Sequence, residues 1–286
     1  MRALALGAVV LVLAGAPAPA HGQKPGTVEQ PPGGGEPIAP LEIIRSPIRS
    51  ATVEQGCRIG VLSVSTRARL PDRSEQAGQL GFFGRCRVAR GLQLRAAMPF
   101  VVNRWHSNFE STSHSEWGSP SLEVRLQVMR LRWFRLAAYL AGAINWQQRS
   151  SVVTETEVTG LVEPGFAAST IYRGLSVHAN AEANLPFGAR NSRRTFLIGA
   201  AFAYRPRHGV SLHAGYQNAI DPIDDRYWAD ARAFILGARM RLSRGWAGEL
   251  GTRLAVNPEA ELEFNSLGRV ATLINFLYEV RARPAR

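Results

Sequence analysis

Eight arginines and four glutamates of this chain recur at alternate positions, each turned away from a row of apolar neighbours. They are Arg85, Arg87, Arg95, Arg125, Arg135, Arg239, Arg241 and Arg253, with Glu123, Glu163, Glu182 and Glu249. Charges gathered on one face of an extended chain can pair as charge-assisted hydrogen bonds that fill an interior. They can equally line a wet passage and attract ions of the opposite sign. His178 and His213 fall on the same polar rows. With Glu182 close by they have the donor chemistry for a metal ion, but as hydrogen-bonded polar residues they need none, and no metal is assigned. The chain has 2 cysteines, Cys57 and Cys86. In an exported protein such a pair predicts a disulfide staple and not a catalytic couple. No glycine-rich phosphate loop, clustered metal-ligand spacing or nucleophile elbow occurs, so no catalytic residue and no cofactor is assigned.

The framework that must carry these charges has a period of two. In the segment from Leu175 to Leu185 the odd positions are Leu175, Val177, Ala179, Ala181, Ala183 and Leu185, and the even ones are Ser176, His178, Asn180, Glu182 and Asn184. A helix would need apolar residues three and four apart. The same alternation recurs in rows headed by Leu92, Leu122, Phe134, Phe196, Val210, Phe234 and Trp246, with weaker members near 53–69, 79–89, 158–172 and 268–280. About twelve strands result, several longer than the usual 5–6 residues and suited to the roughly 9–11 that cross a bilayer at a tilt.

The links between strands alternate in length. Ala89 to Gly91, Leu131 to Trp133, Tyr172 to Gly174, Arg205 to Gly209 and Ser243 to Gly245 are short. Leu70 to Gly78, Asn103 to Ser119, Gln147 to Glu157, Pro186 to Ser192, Asp221 to Tyr227 and Asn257 to Leu267 are longer. Short periplasmic turns and longer external loops are the asymmetry of an outer-membrane barrel, and an even strand number leaves both termini in the periplasm. The predicted fold class is all-β: a transmembrane antiparallel up-and-down β-barrel of about twelve strands over residues 53–280. Trp133, Tyr172, Tyr204 and Trp246 fall near strand ends, where an interfacial girdle would place them.

Residues 1–22 read as a secretory signal peptide: Met1-Arg2, an apolar run from Ala3 to Ala14, and a small-residue exit with cleavage after Ala20 or Gly22. Export to the outer membrane follows. Residues 23–52, rich in Pro and Gly, read as a leader that is either a periplasmic tail or a segment folded back into a lumen. Residues 281–286 form a C-terminal tail. The net charge of +12 is nearly all arginine, scattered through the segments and not clustered. Together with export this argues against nucleic acid as a partner.

The run Gly91-Leu92-Gln93-Leu94-Arg95-Ala96-Ala97-Met98-Pro99-Phe100-Val101 resembles a turn, strand and Pro-aromatic segment of bacterial outer-membrane transporter barrels of the meta-pathway of phenol degradation type. Leu197 to Pro206 with Ala214-Gly215-Tyr216, and Leu236 to Ser243 with Leu250-Gly251, have the same look. The resemblance spans most of 53–280 and is one of rhythm. It implies an envelope barrel that passes small molecules, with no catalytic residues to carry over. Such barrels commonly end on an aromatic residue, whereas here Phe276 to Val280 is followed by Arg281 to Arg286.

If the apolar rows face lipid, the arginine and glutamate rows face a lumen whose net positive charge favours anions. The expected partners are outer-membrane lipid and small solutes, anions among them. The other reading is a closed structural or adhesive barrel, knitted by those charge pairs, that binds a partner through its external loops. A third, a lipid hydrolase at the rim, rests on Trp105-His106-Ser107-Asn108 and His114-Ser115-Glu116. Outer-membrane phospholipases space His and Ser by one residue and follow with Asn-Gly. Here His106 and Ser107 are adjacent and Phe109 follows Asn108, so the chain is read as a non-enzyme with a polar loop.

Overall fold

β-branched and aromatic residues at every second position leave no helical stripe, and the described body of the chain folds as strands. The computed structural model describes residues 38–41, 48–53, 56–69, 73–107, 111–146, 158–172, 174–187, 194–220, 231–243, 245–256 and 270–280. The predicted signal peptide, the first part of the leader and the tail 281–286 lie outside them. The strands are β1 (Cys57–Arg69), β2 (Arg73–Ala89), β3 (Leu92–Ser107), β4 (Ser111–Trp117), β5 (Ser121–Arg130), β6 (Phe134–Trp146) and β7 (Val158–Tyr172). They continue with β8 (Leu175–Phe187), β9 (Thr195–Arg207), β10 (Val210–Ile220), β11 (Ala231–Arg241), β12 (Trp246–Ala255) and β13 (Val270–Val280).

β4 and β5 are two parts of one stave. Phe100 of β3 stands opposite Trp117, and Ala97 stands opposite Ser121. Gly118, Ser119 and Pro120 therefore face only Met98 and Pro99, which is one residue too many: a bulge. The Gly118 N–H donates to the Pro99 carbonyl at 2.8 Å across it. Counted this way, twelve staves run antiparallel, each beside its chain neighbour, and β1 pairs with β13 to close the ring. Closure gives each stave of the ring a neighbour on both sides, which a lipid environment requires because it offers backbone groups no partner; the outer part β4 is paired with β3.

Four of the five short turns hold a glycine in the left-handed region: Gly91, Gly174, Gly209 and Gly245, with φ of 80°, 82°, 81° and 82°. A side chain there would be strained. Two expected loops are shorter than their polar sequences suggest. β1 runs to Arg69 and β2 resumes at Arg73, while β3 and β4 extend as a hairpin with His106 opposite Ser111. Beyond the membrane both faces of a strand are polar, so the chain keeps its pairing and loses its hydrophobic period.

The faces are inverted relative to a soluble sheet. Leu250 and Phe166 are 61% and 62% exposed, while Arg253, His178 and Glu182 are buried. The outward row is the lipid belt. At its turn-side rim Trp246 packs on Tyr278 with ring centroids 4.9 Å apart. The weak alternation of β1 and β13 has a plain cause, since both of their faces are apolar. Leu62, Val64, Leu273 and Leu277 point in and are buried, while Ile59, Ile274 and Phe276 point out. Cys57 and Cys86 are direct cross-strand partners on the outward face, 4.1 Å apart at Cα, and form the predicted disulfide.

Placing an arginine on the outward face should be costly. Leu250→Arg is expected to lower the unfolding free energy in lipid vesicles by about 2–4 kcal/mol, the cost of an arginine near the bilayer midplane. A change within error in urea titrations would contradict the assignment of that face to lipid.

Candidate functional site

Inward parity collects the charged residues singled out above. Arg85 (β2), Arg95 (β3), Glu123 and Arg125 (β5), Arg135 (β6), Glu163 (β7), His178 and Glu182 (β8), His213 (β10), Arg239 (β11), and Glu249 and Arg253 (β12) are buried or half-buried on the inner side. Arg87 and Arg241 share that parity but sit at the turn ends and are exposed. Inside a wide wet lumen such side chains would be hydrated. Here Leu62, Gln93, His178, Arg253 and Leu273 are at most 2% exposed, so at these levels the interior is packed.

Part of the packing comes from the leader. Of the two places open to residues 23–52, a periplasmic tail or a segment folded back into a lumen, the described stretches 38–41 and 48–53 take the second: they stand among the inward side chains, which supply partners for their backbone. The Ile38 N–H donates to Ser176 Oγ at 2.9 Å, and His178 Nε2–H donates to the Ile38 carbonyl at 2.7 Å. That tautomer leaves Nδ1 to accept from Ser169 Oγ–H at 2.8 Å, and Ser169 Oγ in turn accepts from the Ala51 N–H at 2.8 Å. Arg239 donates to the carbonyls of Ala39 and Pro40 at 3.3 and 3.0 Å. Arg125 donates to Ser50 O at 2.7 Å, and Gln127 to Ala51 O at 3.3 Å. Extended chain without a strand partner thus has its polar groups satisfied by the wall.

The strongest anchor is Arg49. Its guanidinium pairs with Glu123, with Glu163 at 2.8 Å and with Glu182 at 2.8 Å, and its own N–H donates to Asn180 Oδ1 at 3.1 Å. Arg125 closes the group by donating to Glu123 at 2.5 Å. Removing one member of a buried charge cluster costs on the order of 3–5 kcal/mol because its partners stay behind unpaired.

Apolar seats complete the fit. Leu41 and Ile48 belong to a buried cluster with Leu62, Val64, Phe83 and Leu273. A Cβ on Gly215 would lie 2.7 Å from Ile48 Cδ1, and one on Gly237 would lie 2.5 Å from the Leu250 carbonyl of the neighbouring strand and 2.6 Å from Leu41 Cδ1. The wall is thinned to glycine where the inserted chain needs room.

Charges of the wall also pair with one another. Arg239 Nε donates to Glu249 at 2.6 Å, Asn275 to the other Glu249 oxygen at 2.8 Å, and His213 Nε2 shares a 2.8 Å bond with Ser211. The structure does not bring His178, His213 and Glu182 together as ligands: His178 is held by Ser169 and Ile38, and Glu182 by Arg49 and Tyr139. Among the described residues no group of three or more His, Cys, Asp or Glu is placed to hold a metal ion. The side chains of His106, Ser107 and His114, on which the rim-hydrolase reading rests, lie outside the described residues. Arg49, Tyr139, Asn180 and the two seat glycines were not legible as a site. The available signal was the return of apolar residues (Ile38, Leu41, Ile48) within an otherwise Pro/Gly-rich leader.

With this geometry in view, the fold can be compared with solved structures. The COG4313 outer-membrane channel from Pseudomonas putida F1 superposes with a TM-score of 0.58 at 13% identity, covering 80% of this chain and 97% of that one. The NanC porin follows with a TM-score of 0.51 at 8% identity, covering 78% of this chain and 100% of the porin. The chain has the fold of a transmembrane outer-membrane barrel. A KdgM porin in complex with disordered oligogalacturonate gives a TM-score of 0.50 at 7% identity, with 78% and 99% covered. No family model and no curated protein matches the chain.

The Ile48 seat can be closed selectively. Gly215→Val places its new carbons against the tip of Ile48, with backbone no nearer than 3.4 Å to the Cβ. Trypsin cleavage of the Arg49–Ser50 bond in folded protein, read by mass spectrometry, is expected to be slow in the original chain and at least about tenfold faster in the variant. Equal rates would show that the seat does not hold the segment.

Proposed function

We propose that this protein is an outer-membrane channel for small solutes whose lumen is closed, in the state described, by the stretches 38–41 and 48–53 of its own chain. One observation carries the reading: where the inserted stretches lie, the wall's inward residues are small. Gly215, Gly237 and Gly251, with Ala137, Ala167 and Ala201, face inward, and the described segment lies against several of them. A barrel selected only to be solid would fill that space with its own larger side chains. The polar groups that hold the segment by its backbone are groups that water or a solute can satisfy once the segment is displaced. The likeness of fold to channels and porins supports the same reading, as does a hairpin rhythm that resembles transporter barrels of the meta-pathway of phenol degradation type.

In the open state the wall's inward arginines outnumber its inward glutamates, which makes the path net positive and favours anions. The closed structural barrel is the second reading, favoured by the packed interior; the two differ in whether the segment leaves.

Planar bilayers decide between them. The mature chain should show rare, discrete, anion-preferring openings, and Arg49→Ala should open at least about tenfold more often, since a buried charge cluster loses a member. Protein that inserts and passes no current in either form would overturn the channel reading in favour of the closed barrel. Equal opening in both forms would remove Arg49 as the closing contact.

A further inference from the structure

Four neighbouring staves converge on one planar cation. Glu123 of β5, Glu163 of β7 and Glu182 of β8 each meet a different nitrogen of Arg49, namely Nη1, Nη2 and Nε. Tyr139 of β6 presents its ring to the same guanidinium, 4.7 Å from the central carbon to the ring centroid. The ring is held by two further bonds: its hydroxyl donates to Glu182 at 2.8 Å and accepts from Asn180 at 3.3 Å. Room for it is made by Gly165, where a Cβ would lie 2.5 Å from Tyr139 Cζ. Three separate carboxylates for three separate nitrogens, with an aromatic ring against the group, is recognition of a guanidinium and not merely of positive charge.

Every group that makes the pocket belongs to the wall, while the group that fills it belongs to the inserted segment. Arg95 stands opposite Glu123 in the β3–β5 register, and Arg125 bonds the same carboxylate. With Arg49 in place the cluster holds three carboxylates and three guanidiniums. Without it the wall is one cation short in a buried setting, a state that another cation relieves.

We infer that this pocket is a ligand site for guanidinium-bearing solutes, with Arg49 as its tethered occupant, and that a free alkylguanidinium competes for it and releases the segment. The site is a property of the wall; only the opening that follows release rests on the channel reading above. The tether gives Arg49 an effective concentration of millimolar order or higher, so the pocket binds free ligand far better when Arg49 is removed.

Calorimetry on the full mature chain in detergent, with butylguanidinium as the probe, tests the site without any need for conduction. Arg49→Ala should bind it with a dissociation constant at or below about 1 mM. The original chain, and Arg49→Ala carrying Glu182→Gln, should bind at least about tenfold more weakly, and butylammonium should lose a similar factor on Arg49→Ala. Absence of binding to Arg49→Ala, or equal binding by all three proteins, would overturn the inference. Should Arg49→Ala fail to fold, bilayer recordings of the original chain stand in: butylguanidinium should raise the opening frequency where butylammonium does not, and identical responses would overturn it. Binding without current in any form would remove the channel reading and leave the site. Current without binding would remove the site and leave the channel.

Discussion

A sheet whose apolar face is given to lipid must satisfy its polar face inside its own cylinder. That constraint orders the rest of this molecule. Closing twelve staves into a ring settles the backbone, because each strand has two neighbours, but it leaves an inner surface of arginines, glutamates, histidines and amides that need partners. Some find them in the wall, as Asn275 does with Glu249. Others, His178, Arg125, Glu163 and Glu182 among them, bond to the inserted leader. The leader is therefore a structural partner of the polar face and not an appendage.

Two kinds of contact divide the work of holding it. Ser176 and Ser169, which accept from the segment's N–H groups, and His178 and Arg239, which donate to its carbonyls, recognise extended chain of almost any sequence. Leu41 and Ile48 in their glycine-lined seats, and Arg49 among three glutamates, recognise particular side chains. The first kind can be exchanged for water at little net cost, whereas the second cannot, so displacement turns on a few residues.

Much of the barrel was legible in the sequence, because its strongest determinant, lipid on one side and polar groups on the other, writes itself as a period of two. β8, with Ser176, His178, Asn180 and Glu182 on one row, could be read residue by residue. β1 and β13 could not, since the apolar cluster around Leu62 and Leu273 puts hydrophobic residues on both faces. The polar hairpin of β3 and β4 lost its period where it leaves the membrane and looked like loop. Arg49 was beyond reach for a different reason. Its partners lie 74, 114 and 133 residues away, and nothing local distinguishes it from its neighbours in the leader. The rows of wall charges were evident; that three of them converge on a group from outside the wall depends on ring closure.

Whether the leader segment closes the lumen is decided by locking it in place. Ser50 Oγ and Ser169 Oγ approach to 3.3 Å across the boundary between segment and β7. Ser50→Cys/Ser169→Cys should cross-link spontaneously, with single-channel current abolished while it is oxidised and restored by reductant that leaves the original chain unaltered. A quantitative cross-link with undiminished current would contradict closure by the segment.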